Sequence, residues 1–268
     1  MRDYAIVLAA DLPTPEDVLS LVTRVGDVVD GVKVGEATLL QSGVTILRRI
    51  RDVIREKPLL VDLKIADIGF LSDTGWHGTN GKIIKSLEDS GATHVTVHGF
   101  PGPLSVAEAV AQARESSIGV LLLPIMSHAG AKLFFSRPLA RGDVVDSALK
   151  GGLDVRFPDA PSCNDVTDGI LLLGEALGVD GYIGPASRPE ELQRYRTMTD
   201  RPIWCPGFGR QDRLGRSLGD QFRDWAKIVG RRSAAIVGST IFGAADPVAA
   251  AREVVSLRDA ATESRDSR

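Results

Sequence analysis

The chain has 268 residues, 43% of them hydrophobic and 25% charged, which is the ordinary composition of a globular protein. A net charge of −3 and a pI near 5.9 argue against a nucleic-acid-binding surface. No apolar run approaches the roughly 20 residues that a membrane span needs, and the N-terminus leads directly into a strand without a signal peptide, so we expect a cytoplasmic protein.

The two cysteines give neither a disulfide framework nor a metal-binding spacing. Cys205 lies in an apolar stretch and is expected in the core. The sequence contains no His, Cys and carboxylate cluster with metal spacing, so we expect no metal site, and it contains no Gly-x-Ser-x-Gly elbow.

Short apolar stretches alternate along the chain with amphipathic segments. The eight predicted strands are Tyr4–Ala10, Gly31–Gly35, the start of Leu59–Gly69, Thr93–Val97, Ile118–Pro124, Val179–Ile183, Ile203–Cys205 and Ala234–Val237. The predicted helices are one starting at Thr14-Pro15, then Glu36–Gln41, Val44–Arg55, Lys82–Ser90, Ser105–Glu115, Asp168–Leu177, Pro189–Thr197, Gly219–Val229 and Pro247–Arg258.

Eight strand-and-helix units without tight hairpins predict parallel pairing that closes a TIM (β/α)8 barrel. The alternative, a doubly wound open sheet, more often has Gly-x-Gly-x-x-Gly after its first strand, where this chain has Asp11-Leu12-Pro13. We expect one barrel over residues 1–258, with an inserted segment at about 136–166, and a disordered tail over 259–268. The glycine-rich stretch Gly69–Gly81 is expected to be a mobile loop.

Three charged residues crowd the end of the third strand, in Leu59–Gly69. Asp62 and Lys64 are two residues apart and therefore point to one side of the strand, and Asp67 follows in the loop. A surface ion pair would explain the string equally well. Charges at the exit of a buried barrel strand, however, are commonly placed for chemistry.

Other predicted strands deliver polar groups to the same rim of such a barrel. The residues at strand exits are Asp11, Lys33, Asp62, Lys64, His98, Ser127, Pro206-Gly207 and Gly238-Ser239. Asp11 could instead cap a helix, Ser127 could cap a turn, and His98 fits a packed loop histidine better than a catalytic one.

Lys33 is harder to explain structurally, because a lysine among valines needs a carboxylate partner. Asp62 on the adjacent strand is the expected partner.

Two glycine-rich exits, Pro206-Gly207-Phe208-Gly209 and Gly238-Ser239, follow the seventh and eighth strands, where barrels of this type frequently bind phosphate through backbone amides.

Together these motifs resemble the orotidine 5′-monophosphate decarboxylase family, in particular its archaeal branch, from about residue 4 to residue 257. The matching strings are Asp11, Val32-Lys33-Val34-Gly35, Asp62-x-Lys64-x-x-Asp67-Ile68, His98-Gly99-Phe100-Pro101-Gly102, Met126-Ser127-His128-x-Gly130-Ala131, Gly184-Pro185-x-Ser187-Arg188-Pro189 and Pro206-Gly207-x-Gly209-x-Gln211.

The resemblance implies cofactor-free decarboxylation of orotidine 5′-phosphate to uridine 5′-phosphate by a homodimer with shared sites. It implies a charged array of Lys33, Asp62, Lys64 and Asp67. It implies that Asp11 and Lys33 bind ribose hydroxyls, and that Asp67 and Thr79 contact the ribose in the neighbouring subunit's site. Ser127 is implied to contact the pyrimidine. The implied phosphate contacts are Gln211, the Pro206-Gly207 loop and the amides near Gly238.

The chain departs from this family's pattern in three places. The phosphate-binding arginine expected after Gly238 is replaced by Ser239, and Arg210 or Arg213 could substitute from the preceding loop. The loop after Ile68 and the 136–166 segment are also enlarged.

Three alternatives to this function stay open. One is a metal-dependent sugar-phosphate enzyme of the same superfamily, which would carry a metal-binding glutamate where this chain has Lys33. Another is a decarboxylase of a modified nucleotide, and the third is a non-catalytic nucleotide-binding barrel.

Overall fold

The computed structural model describes residues 2–159, 162–209, 212 and 215–266. The strands in this part of the chain are β1 (Ala5–Ala9), β2 (Gly31–Gly35), β3 (Leu59–Ile65), β4 (Leu71–Ser72), β5 (Gly75–Trp76), β6 (His94–His98), β7 (Gly119–Leu123), β8 (Gly181–Ile183), β9 (Ile203–Pro206) and β10 (Ala234–Val237). The helices there are α1 (Pro15–Val25), α2 (Glu36–Ser42), α3 (Thr45–Ile54), α4 (Thr79–Lys85), α5 (Pro103–Glu115), α6 (Lys132–Phe135), α7 (Arg141–Lys150), α8 (Val166–Leu177), α9 (Pro189–Met198), α10 (Leu218–Ile228), α11 (Ser239–Phe242) and α12 (Pro247–Asp266).

Eight of these strands, all in parallel pairs, close into a barrel in the order β1-β10-β9-β8-β7-β6-β3-β2. The predicted (β/α)8 barrel is therefore confirmed. The strands are apolar on both faces because one face fills the barrel and the other supports the helices. None of the helices in the described ranges combines the length and apolarity needed to cross a membrane.

The core has two layers, which correspond to the two faces of the strands. Inside the barrel, small residues such as Ala5 and Ala234 leave room for Trp204, which is 1% exposed. The larger layer lies between the strands and the helices and contains Cys205, as the sequence predicts. Alternation of side chains along each strand directs one residue in two towards the barrel axis.

The segment after β3 contains more regular structure than the sequence predicts. A small antiparallel hairpin joins β4 to β5 outside the barrel, and α4 begins at Thr79 rather than at Lys82. The Asn80 side chain, which is fully buried, accepts a hydrogen bond from the Asp67 amide (3.1 Å) and donates to the Asp67 carbonyl (3.0 Å). These bonds tie the start of the loop to the start of α4.

The last helix is longer than the sequence predicts, because α12 continues to Asp266. The Arg258 side chain is 1% exposed, pairs with Asp30 (2.9 Å) and donates to the Tyr4 carbonyl (2.7 Å). Ala261 is buried one turn later. Residues 259–266 are thus helical rather than a disordered tail, and residues 267 and 268 lie outside the described ranges.

Candidate active site

A cavity of about 310 Å³ opens at the carboxyl end of the barrel strands. Nine residues singled out from the sequence line it: Asp11, Lys33, Asp62, Lys64, Ser127, Pro206, Gly207, Gly238 and Ser239. They come from six of the eight barrel strands or the loops that follow them, because parallel strands bring all their exits to one rim. The lining also includes Met126, Phe208 and Phe242, for which the sequence suggested no role.

A continuous chain of ion pairs lies on one wall of this cavity. Lys33 Nζ lies 2.9 and 3.0 Å from the two carboxylate oxygens of Asp11 and 3.3 Å from Asp62 Oδ2. Lys64 Nζ lies 2.9 Å from Asp62 Oδ1. The Lys33 side chain is only 9% exposed, so the two carboxylates offset its desolvation. Asp62 pairs with Lys33 as expected, and Asp11 is a second partner.

Asp62 is held between two ammonium groups, and its ionisation reflects this. Burial alone would raise the pKa of its carboxyl, but the charges of Lys33 and Lys64 and hydrogen bonds from Lys64 and Thr96 outweigh burial, so the pKa lies below its ordinary value. Asp62 is therefore a carboxylate at neutral pH, fixed beside the open part of the cavity.

Lys64 occupies an irregular position at the end of β3. Its φ is +49°, in the left-handed region that non-glycine residues seldom adopt. The pairing of β3 with β6 shifts register between Val61 and Ile65, so the segment with Asp62 and Lys64 bulges from the ladder. The bulge directs both charged side chains to the rim, where they meet.

Two glycine-rich loops lie together at another part of the rim. Gly207 and Gly209 have φ of +109° and +72°, and a Cβ on Gly209 would clash with Thr240 Oγ1, so the loop after β9 packs closely on the start of α11. Ser239, half-buried, opens α11. Arg210, Gln211 and Arg213, which the sequence assigns to this region, lie outside the described residues.

Asp67 and Thr79 do not line the cavity of their own chain. Both are exposed, on the segment that the Asn80 side chain ties together. Ser105 Oγ also donates to the Asp67 carbonyl, at 2.6 Å. Of the four residues in the expected charged array, this chain brings together Lys33, Asp62 and Lys64, whereas Asp67 faces outward.

His98 is a packed residue, in agreement with the sequence-based expectation. Its ring is 6% exposed, lies 4.9 and 5.3 Å from the rings of Phe100 and Phe135, and accepts a hydrogen bond from the Phe100 amide (3.3 Å). Burial, with a smaller effect of Lys64, lowers its pKa to about 4. It is therefore neutral at pH 7 and is not among the residues that line the cavity.

The sequence motifs assign no individual role to Arg188 or Thr96. Arg188 Nη2 donates to the Met126 carbonyl at 2.9 Å and so supports the loop that carries Ser127. Its only sequence signal was its place in the Ser187-Arg188-Pro189 string. In the sequence, Thr96 looks like an ordinary strand residue. Its hydroxyl contacts Asp62 at the register shift of β3, which no sequence pattern indicates.

This (β/α)8 barrel has ionised groups at its carboxyl rim and glycine-rich loops after its last two strands. Such an arrangement is typical of enzymes that act on phosphorylated small molecules. Comparison with known families identifies the family to which the chain belongs. The family model described as orotidine 5′-phosphate decarboxylase / HUMPS matches residues 4–254, and the chain belongs to that family.

Proteins of methanogens and other archaea are among its relatives. Orotidine 5′-phosphate decarboxylase from Methanococcoides burtonii is 28% identical over 251 residues, which cover 93% of this chain and 94% of the relative. The enzyme of that name from Thermococcus kodakarensis is 29% identical over 95% of this chain and 96% of its own length. The crystal structure of orotidine 5′-monophosphate decarboxylase from Methanocaldococcus jannaschii, complexed with the inhibitor BMP, matches with a TM-score of 0.73 at 26% identity, covering 96% of this chain and 99% of that one.

Proposed function

We propose that this protein decarboxylates orotidine 5′-phosphate to uridine 5′-phosphate without a cofactor. The observation that carries the proposal is the contact of Lys64 Nζ with Asp62 Oδ1, at 2.9 Å, in the cavity at the carboxyl rim. An ammonium beside an ionised carboxylate is the pair of groups that this reaction requires at the ring carbon that loses CO2.

The chemistry assigns a separate task to each group. When the bond to the carboxylate breaks, its electron pair stays on the ring carbon, where no adjacent carbonyl can delocalise it. The Lys64 ammonium stabilises this charge as it develops and then transfers its proton to the carbon, while CO2 leaves. Asp62, held as an anion, repels the substrate carboxylate, and the repulsion is relieved as CO2 departs.

Lys33 supports this arrangement from the opposite side of Asp62. Its ammonium contacts Asp62 Oδ2 (3.3 Å) and both oxygens of Asp11, so Asp62 keeps its charge even with a second carboxylate nearby. We infer that Asp11 and Lys33 bind ribose hydroxyls, that Ser127 contacts the pyrimidine, and that the loops at Gly207 and Gly238 hold the phosphate with Gln211. Binding energy from the phosphate, remote from the reacting carbon, supports the strained contact with Asp62.

The same contacts argue against a metal-dependent sugar-phosphate reaction. A protonated lysine cannot ligate a magnesium ion, and Lys33 holds the place where such relatives carry a metal-binding glutamate. A non-catalytic nucleotide-binding barrel would not need Lys64 and Asp62 in contact at the cavity wall.

The ultraviolet absorbance of orotidine 5′-phosphate tests the proposed reaction directly. We expect the purified protein to consume it, with uridine 5′-phosphate as the product, at the same rate with and without a chelator. An unchanged spectrum with folded protein would reject the proposed substrate, and a rate that a chelator abolishes would favour the metal-dependent alternative.

We further propose that the active form is a homodimer in which each subunit completes the other's site. Asp67 and Thr79 are exposed and do not line the cavity of their own chain, so they are free to serve a neighbour. The same segment exposes Ile68 (73%), Phe70 (53%) and Leu71 (39%), an apolar surface that a second copy of the chain would cover.

Mixing two inactive variants tests whether the sites are shared. An Asp67→Ala chain and a Lys64→Ala chain should each be inactive alone. Their equimolar mixture should recover about a quarter of wild-type activity, since half of the dimers are mixed and one of their two sites is intact. Absence of recovery, with mixed dimers demonstrated by differential tagging and co-purification, would contradict shared sites.

A further inference from the structure

Thr96, on β6, joins the two residues on which the proposed reaction depends. Its hydroxyl accepts a hydrogen bond from the Lys64 backbone amide (2.8 Å) and donates one to Asp62 Oδ1 (2.9 Å). Its side chain is buried, with 1% of the residue exposed, and it does not line the cavity. We propose that Thr96 is a positioning residue that holds the Lys64 backbone and the Asp62 carboxylate in their reactive arrangement, an inference that rests on the proposed function.

The backbone of β3 bulges opposite Thr96. Val61 pairs with Val95 and Ile65 pairs with Val97, so four residue steps on β3 span two on β6. Thr96 is the β6 residue that faces this bulge. Lys64 has a left-handed backbone within it, a conformation that persists in non-glycine residues only where the surroundings enforce it. The bond from the Lys64 amide to Thr96 is one such restraint.

The Asp62 carboxylate is the second group that Thr96 holds. A hydroxyl has one proton, and because the Lys64 amide is itself a donor, the Thr96 hydroxyl must accept from it and keep its proton for Asp62. Asp62 Oδ1 thus receives Thr96 at 2.9 Å and Lys64 Nζ at 2.9 Å, while Oδ2 faces Lys33. Three donors from three strands fix the plane of the carboxylate, and Thr96 is the donor among them whose position does not depend on a long, flexible side chain.

A purely structural role for Thr96 makes a different prediction from a positioning role. A threonine that only pins β3 to β6 would affect stability, with no selective effect on kcat. Thr93, the residue directly before β6, provides the comparison. Its hydroxyl contacts β3, donating to the Leu59 carbonyl (3.1 Å) and accepting from the Leu59 amide (2.9 Å) at the opposite end of the barrel.

The experiment compares Thr96→Val and Thr96→Ala, which remove the hydroxyl, with Thr96→Ser, which keeps it. We expect kcat for orotidine 5′-phosphate to fall about 10- to 100-fold in the Val and Ala variants, as for loss of a hydrogen bond to a charged group, with KM changed little. Thr96→Ser should recover most of the loss. Thr93→Val, which deletes a comparable hydroxyl far from the cavity, should keep wild-type kcat. If Thr96→Val does not fold, the comparison of Thr96→Ala with Thr96→Ser still tests the role of the hydroxyl.

A second readout does not require turnover. Carboxyl carbon NMR of Asp62 should show a higher pKa in Thr96→Ala than in wild type, because the lost hydrogen bond favoured the ionised form. Lys33 and Lys64 pair with Asp62, Asp11 pairs with Lys33, and His98 interacts electrostatically with Lys64. All four residues are the same in Thr96→Ala and in wild type.

These two measurements separate the possible failures. A wild-type protein that does not consume orotidine 5′-phosphate contradicts the proposed function, and the NMR titration still tests the role of Thr96. Wild-type kcat and an unshifted Asp62 pKa in Thr96→Ala would overturn the inference. Equal loss of kcat in Thr96→Ser and Thr96→Ala would also overturn it, because the hydroxyl would then not be the group that matters.

Discussion

Replacing Lys64 with alanine should reduce the decarboxylation of orotidine 5′-phosphate by at least about 10⁴-fold, since one side chain supplies both charge stabilisation and the proton. The variant should remain folded. Lys64 Nζ lies at the cavity wall, and its side chain is 40% exposed, so its removal creates no cavity in the core. Turnover is measured by ultraviolet absorbance, and folding by circular dichroism and thermal unfolding.

Lys150 offers a matched control for this experiment. It is an exposed lysine at the end of α7 and does not line the cavity, so Lys150→Ala removes the same charge without touching the site. Wild-type turnover is expected for it. If Lys64→Ala keeps near-wild-type turnover, the proposed proton donor is wrong. If both variants lose activity equally, the loss reflects the net charge of the protein rather than the site.

The sequence was informative about the barrel and about which residues meet at its rim. Alternating apolar strands and helices required parallel pairing, and parallel pairing places every strand exit on one side. The meeting of Lys33 with Asp62 followed from the cost of an unpaired buried ammonium. That inference depends on burial and strand adjacency alone, and a sequence pattern indicates both.

The features that the sequence did not reveal depend on geometry that no local pattern records. A register shift between β3 and β6 has no periodic signal, so neither the left-handed backbone of Lys64 nor the role of Thr96 could be predicted. The helical end of α12 was missed for a related reason. Its composition is that of a tail, but Arg258 is fixed by Asp30 and Tyr4, residues more than two hundred positions away.

Ser239 raises the question of how a phosphate is held in the cavity. Ser239 lines the cavity directly after Gly238, at the position where the resemblance to the family leads us to expect an arginine. Among the described residues that line the cavity, the cationic side chains are Lys33 and Lys64, and both are paired with carboxylates. A nucleotide phosphate would therefore need a cation from elsewhere. Arg210 and Arg213 follow Gly209, whose loop packs on Thr240 beside Ser239.

We expect one of these two arginines to replace the missing one. A charge-assisted contact with phosphate contributes roughly 1.5–3 kcal/mol, or about 10- to 150-fold in affinity. Either Arg210→Ala or Arg213→Ala should then weaken the binding of uridine 5′-phosphate by about that factor, and Ser239→Arg should change it by much less. Isothermal titration of the nucleotide into wild type and the three variants measures each effect.

Arg223→Ala controls for the general loss of positive charge, because Arg223 is exposed on α10, pairs with Asp220 and does not line the cavity. It should bind uridine 5′-phosphate as wild type does.

The opposite pattern of affinities would contradict compensation by an arginine. If neither Arg210→Ala nor Arg213→Ala weakens binding while Ser239→Arg tightens it about 10- to 150-fold, no arginine compensates. The wild-type cavity would then lack a strong phosphate contact, and a substrate other than orotidine 5′-phosphate would explain Ser239 better.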